Sequence, residues 1–219
     1  MKPVGESLEV VLGRMEKAAV ESRGRETDRA KEAAIRQHNL KVDELLLGWN
    51  APARQSRKKV DRSGPWGQKL TVLEGRLGKG FLSVLYGTNG SGKTQLGVEL
   101  MKFQIHRREK SARFMSAMDF FMAVKATYRQ DSEKGEAQVL DEFAKPSLLV
   151  VDEIEKRGES AWENNLLFHL FNRRYNAERD TLLISNLPEA ELQAHLGNDL
   201  VSRLNETGGM IHCDWPSFR

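Results

Sequence analysis

The sequence predicts an α/β fold: a parallel sheet covered by helices on both faces. Three observations point there. Through residues 82–213 short apolar segments alternate with stretches of helical spacing, the pattern of strands joined by crossover helices. A glycine-rich stretch, Tyr86-Gly-Thr-Asn-Gly-Ser-Gly-Lys-Thr-Gln95, stands between one apolar run and one helical pattern. A third apolar run, Leu148-Leu-Val-Val151, ends in two adjacent carboxylates, Asp152 and Glu153.

The elements follow in chain order. Leu8, Val11, Leu12, Met15 and Ala19 recur at helical spacing with charges between them. Gly24 separates this helix from a second helical segment, about 28–47, which ends in Leu45-Leu46-Leu47. A helical pair of this size buries little by itself, so it either docks on the main domain or lends its apolar stripe to another protein. Residues 1–47 are read as a partner-binding helical arm. Residues 48–67 mix glycine, proline and charge from Gly48-Trp-Asn-Ala-Pro52 to Gly64-Pro-Trp-Gly67, and read as a basic linker at a domain boundary. The α/β domain then occupies 68–219. Its five strands are expected at 82–86, 113–115, 148–151, 181–185 and 210–213. Helices are expected at 93–109, 118–128, 136–143, 161–176 and 189–204.

Composition sets outer limits. A chain of 219 residues can bury one substantial core plus an appendage. Mean hydropathy is −0.55, charged residues make up 30%, and no apolar run approaches the length of a membrane-spanning helix, which excludes an integral helical membrane protein. The N-terminus lacks the apolar centre of a secretory signal, so a cytoplasmic location is expected. One cysteine, Cys213, excludes an internal disulfide and cannot build a zinc site alone, so it should pack as a small apolar residue. Residues 1–64 carry 14 Lys/Arg against 10 Asp/Glu. The excess sits in Arg54, Arg57, Lys58, Lys59 and Arg62, opposed locally by Asp61, a run that fits a solvated linker or a nucleic-acid contact.

The chemistry is concentrated at two strand ends. Gly87, Gly92, Lys93 and Thr94 satisfy G-x-x-x-x-G-K-[ST], with a strand before and a helix after. Unpaired backbone N–H groups and the helix dipole then point at one spot, which makes a phosphate cradle of Gly87, Thr88, Asn89, Gly90, Ser91, Gly92, Lys93, Thr94 and Gln95. Lys93 should reach the β and γ phosphates of ATP, and the Thr94 hydroxyl should ligate magnesium. Asp152, at the end of a buried strand, should hold the same Mg²⁺, directly or through water. Glu153 is placed to take a proton from the attacking water. The fourth strand runs into Asn186, whose amide either orients that water and the γ phosphate or bonds its own backbone in an Asn-Leu-Pro turn.

These parts in this order resemble the AAA+ class of P-loop ATPases, with Asn186 at the place called sensor 1. Four further strings, Asn172-Arg-Arg-Tyr175, Thr181 to Asn186, Leu196 to Leu204 and Asp214-Trp-Pro-Ser-Phe-Arg219, look like the DnaC-type replicative helicase loaders and the related IstB transposition ATPases. Gly48-Trp-Asn-Ala-Pro-Ala-Arg54 is similar to the Gly-x-Pro-x-Arg stretch that precedes the ATPase core in that group. The likeness covers roughly 48–219. With 33 residues after Asn186, no separate helical lid is expected, which agrees with that group.

The resemblance implies an ATPase that binds a hexameric replicative helicase through its N-terminal helices and loads it onto single-stranded DNA. Its copies would stack in a spiral with ATP between them. Arg203 falls where these proteins carry an arginine finger, or else pairs on its own helix with Asp199. Arg219 matches a terminal arginine that senses nucleotide. Lys125, Tyr128, Ser160 and Trp162 match the single-strand contacts, although Ser160 with Glu163 also reads as a plain helix cap. Arg173 and Arg174 are read as contacts to a neighbouring subunit or nucleotide, or as surface charge. The alternatives are an IstB-like transposition regulator binding duplex DNA and a transposase, a small-molecule P-loop kinase, and a non-hydrolysing ATP-dependent scaffold.

Overall fold

Each of the five apolar segments forms a strand within one residue of its expected bounds. They are β1 (Leu82–Tyr86), β2 (Ala112–Ser116), β3 (Leu148–Asp152), β4 (Asp180–Ile184) and β5 (Gly209–His212). The computed structural model describes residues 29–156 and 160–215, so the predicted helix at 8–20 and Arg219 lie outside the described residues. The chain divides into two units, Met1–Asp43 and Glu44–Arg219. Residues 29–48 are helical and form α1.

All strand pairs are parallel, in the order β2-β3-β4-β1-β5. β1 and β4 are buried along their whole length, and β3 up to Asp152, which is why they read as continuous apolar runs rather than alternating ones. The order has a functional consequence. β4 lies between β1 and β3, so the segments that leave the carboxyl ends of β1, β4 and β3 emerge side by side. Edge strand β2 is partly covered, because Phe114 N–H donates to Trp49 O at 2.8 Å.

The helices are α2 (Ala53–Ser56), α3 (Gly64–Arg76), α4 (Lys93–Phe103), α5 (Ala117–Ala126), α6 (Glu136–Ala144), α7 (Ala161–Asn176), α8 (Glu189–Leu196) and α9 (Asn198–Thr207). α4 runs on into a π-helical turn, Gln104–Arg108. It packs so close to the sheet that a Cβ at Gly97 would stand 2.8 Å from Val150 Cγ1. Phe120, Phe121, Phe143, Leu166, Leu170 and Phe171 from α5, α6 and α7 join β3 and β4 in the core.

Two expectations change, and residues 48–67, read as a basic linker, carry α2 and the start of α3. The Gly64-Pro-Trp-Gly67 string opens a helix because proline is favoured in a first helical turn, and burial of Trp66, Leu70 and Leu73 holds the helix in place. The single helix expected at 189–204 is two, broken at Gly197, whose left-handed φ of 79° ends α8. Arg174 is neither surface charge nor a contact to a neighbour. It is fully buried and donates to the carbonyls of Phe143, Ala144, Pro146 and Asp180 and to Thr181 Oγ1, at 2.5–3.1 Å. Burial lowers its pKa, and these five acceptors are what hold the cation inside. Arg173 beside it pairs with Asp141 at 2.5 Å.

Candidate functional site

The loop between β1 and α4 folds as its glycines require. Gly87, Gly90 and Gly92 take φ of 135°, 87° and 82°, and a Cβ at Gly87 would stand 2.8 Å from Cys213 O. The loop curls around Lys93, whose Nζ donates to Gly87 O and Thr88 O, each at 2.8 Å, and to Ser91 Oγ at 3.3 Å. Burial lowers the pKa of this ammonium, while the nearby Asp152 and Glu155 carboxylates oppose the shift. Two indoles clamp the loop from behind: Trp66 Nε1–H donates to Gly92 O at 3.2 Å and Trp215 Nε1–H to Ser91 O at 2.6 Å.

The counterpart comes from β3. Thr94 Oγ1 donates to Asp152 Oδ2 at 2.7 Å, and Glu153 N–H donates to Asp152 Oδ1 at 2.8 Å. Burial raises the Asp152 pKa, partly offset by these two bonds. Two hard oxygens 2.7 Å apart fit the roughly 2.9 Å edge of a magnesium octahedron with bonds of about 2.1 Å. Glu153 has a left-handed φ of 52°, uncommon for a residue with a side chain, and its Oε1 pairs with Lys156 at 2.5 Å. Asn186 does not turn onto its own backbone as the turn reading required. Its Nδ2 donates to Glu155 Oε1 at 2.8 Å.

Together these residues surround an open cleft of about 570 Å³, within the usual range for a small-molecule site. Asn89, Gly90, Gly92, Lys93, Thr94 and Gln95 form one wall. Asp152, Glu153 and Asn186 form another, and Arg54, Gln55 and Lys58 close the side from α2 and its end. Of the predicted cradle, Gly87, Thr88 and Ser91 stand behind the wall and serve as acceptors for Lys93. Gln95 Nε2–H ties to Gln55 O at 2.9 Å, linking the cradle helix to α2.

The family described as IstB-like ATP binding protein matches residues 82–204, more than half of the chain. This chain belongs to that family. The IstB-like chain is also homologous to the replicative helicase loader DnaC. It is 28% identical to the Escherichia coli K12 protein over 137 residues, 62% of this chain and 55% of that one. The DnaC of Buchnera aphidicola subsp. Baizongia pistaciae is 26% identical over the same lengths. This chain thus spans about half the length of these curated relatives. Among solved structures, a DnaC helicase loader superposes with a TM-score of 0.60 at 21% identity, over 75% of this chain and 97% of that one. The AMPPCP-bound DnaA of Aquifex aeolicus gives 0.57 at 22%, over 72% and 49%. These likenesses show the shared AAA+ fold.

The remaining predicted residues fall in two groups away from the cleft. Lys125 Nζ lies 5.4 Å from the centre of the Trp162 ring, and Tyr128 meets the same ring edge-on at 6.3 Å. Ser160 caps α7, accepting from Glu163 N–H at 3.2 Å, while Glu163 reaches Lys125 at 3.7 Å instead of returning to the cap. Arg203 does not form the pair with Asp199. Its guanidinium lies between the rings of Phe168 and Tyr175, 5.1 Å from each centre, and no carboxylate among the described residues is within ion-pair distance. Cys213 is buried as expected, and burial pushes its thiol up to about 12, which makes it inert.

Sequence reasoning missed Arg54 and Lys58 as cleft residues, Trp66 and Trp215 as loop clamps, and Glu155. For Arg54 a signal existed in the Gly-x-Pro-x-Arg string. The tryptophans carry no local pattern, since their partners are 26 and 124 residues away.

Proposed function

We propose that this protein is a bacterial cytoplasmic AAA+ ATPase that loads a hexameric replicative helicase onto single-stranded DNA, with ATP bound at the seam between successive copies. The 2.7 Å contact from Thr94 to Asp152, with Asn186 just past the end of the strand between them, carries the ATPase half of this reading. Homology to DnaC supports the loader half.

In this reading Lys93 leaves the loop carbonyls for the β and γ phosphates, and a nearby phosphate offsets the burial that lowers its pKa. Thr94 and Asp152 would hold Mg²⁺, which would supply positive charge to the phosphate oxygens. Asn186 orients the attacking water, and Glu153 exchanges Lys156 for that water and takes its proton. Arg203 of the next copy meets the charge that spreads over the γ-phosphoryl oxygens. Residues 1–47 grip the helicase, 48–67 connect, and 68–219 form the ATPase domain. Lys125 contacts a phosphate of the single strand, Tyr128 and Trp162 stack on bases, and Ser160 borders them.

The family match favours one rival, an IstB-like regulator that uses the same core to bind duplex DNA and a transposase. The test is electron microscopy and pull-down with the host's replicative helicase, ATP and a short single strand. The proposal expects a ternary assembly that prefers single over double strand, with Trp162→Ala weakening DNA binding by about 1–3 kcal/mol. Capture of a transposase with duplex preference and no helicase complex contradicts it.

A further inference from the structure

Glu155 stands two residues past the carboxylate pair and reaches the site by a backbone device. Glu153 takes its left-handed φ of 52°, and Ile154 N–H then donates to Ile184 O at 3.1 Å, so the chain crosses the end of β4. That crossing brings Glu155 to Asn186. Its Oε1 accepts from Asn186 Nδ2 at 2.8 Å and from the Asn186 backbone N–H at 3.3 Å. Its Oε2 is shut off from solvent and has no hydrogen-bond partner among the described residues.

A carboxylate accepts hydrogen bonds and cannot donate them, so it dictates which way an amide faces. Without such a partner an asparagine amide can turn over, exchanging donor for acceptor at the reacting end. With Nδ2 committed to Glu155, one N–H is fixed on the carboxylate. The second N–H and Oδ1 are then left, in a set order, for the cleft that Asn186 lines. A group held this way loses less freedom when the reacting water and phosphate arrive. The left-handed φ of Glu153 that makes this crossing is a local backbone strain, and strain of this kind clusters at functional sites.

We infer that Glu155 is a positioning residue for hydrolysis, fixing the orientation of the Asn186 amide so that its free N–H and oxygen address the γ phosphate and the attacking water. The inference rests on the reading of Asn186 given above.

The test compares Glu155→Ala, Glu155→Leu, Glu155→Gln, Asn186→Ala and the Glu155→Ala/Asn186→Ala double variant in the full chain. Melting temperature, Kd for a fluorescent ATP analogue and single-turnover phosphate release are measured for each. Glu155→Ala and Glu155→Leu should keep Kd within about twofold yet lose at least about tenfold in rate. Glu155→Gln, whose amide oxygen still accepts from Nδ2, should stay within about threefold of the unaltered rate. The double variant should be no slower than Asn186→Ala, because both changes remove one function. Full rate in a folded Glu155→Ala variant, or an equal further loss in the Asn186→Ala background, overturns the inference and leaves Asn186 in place. Full rate in Asn186→Ala overturns the reading of Asn186 and the inference with it.

Discussion

Arg203, which does not line the cleft of its own chain, lies against two aromatic rings. Each ring centre lies 5.1 Å from the guanidinium carbon, so both rings attract and hold the cation. Tyr175 is itself anchored, its hydroxyl donating to Glu206 at 2.6 Å. If Arg203 is the residue that completes a neighbour's site, losing one ring should lower hydrolysis through poor aim. Each such contact is worth about 0.5–1 kcal/mol, so Phe168→Ala should slow the assembled ATPase by roughly 2- to 5-fold. Tyr175→Phe, which keeps the ring, should stay at full rate, and phosphate release by the two variants checks this. At this scale the sequence was legible where chemistry imposes spacing, as in Gly87 to Thr94 and Asp152-Glu153. It was illegible where a lone side chain gains meaning from a partner that sheet order supplies. Glu155 is the clearest case, since nothing in Asp152-Glu-Ile-Glu155 says that the second glutamate will meet Asn186.

Among the elements, β4 and α7 are fastened by a buried cation rather than by apolar packing alone. Arg174 satisfies carbonyls at the end of α6, at Pro146 and at Asp180, while the Asp180 carboxylate accepts from the N–H groups of Gly78, Gly80 and Phe81. Replacing Arg174 by Met keeps volume but leaves the carbonyls unpaired, and should cost about 3–5 kcal/mol in urea unfolding. ATP affinity of the still-folded variant should be unchanged, whereas a nucleotide or subunit contact would lose affinity with little loss of stability. The strands were legible because burial on both faces leaves unbroken apolar runs. α3 was not, because Gly64-Pro-Trp-Gly67 has the composition of a turn, and only burial of Trp66 against the α/β body makes it the first turn of a helix. The break at Gly197 was hidden for a related reason: glycine ends a helix where a φ such as 79° is required and is tolerated inside one elsewhere.

For the whole molecule, the fold class follows from strand count and alternation, but the order β2-β3-β4-β1-β5 is what puts Asn186 between Thr94 and Asp152. The cleft so formed is lined by Asp152, Glu153, Asn186, Lys93, Lys58 and Arg54, and Arg203 lines no part of it. Under the proposed function a second copy supplies Arg203 to this cleft, in a head-to-tail contact that repeats along an open assembly. Arg203→Ala copies keep an intact acid site and lack the donated arginine, while Glu153→Gln copies have the reverse defect. The decisive measurement is phosphate release by each variant alone and by an equimolar mixture, with helicase and single-stranded DNA present. Each variant alone should be nearly inactive, and the mixture should recover about a quarter of the unaltered rate, the share of seams that pair an intact acid site with an intact arginine. A mixture no faster than the mean of its two components, or full activity in Arg203→Ala alone, would contradict the shared site.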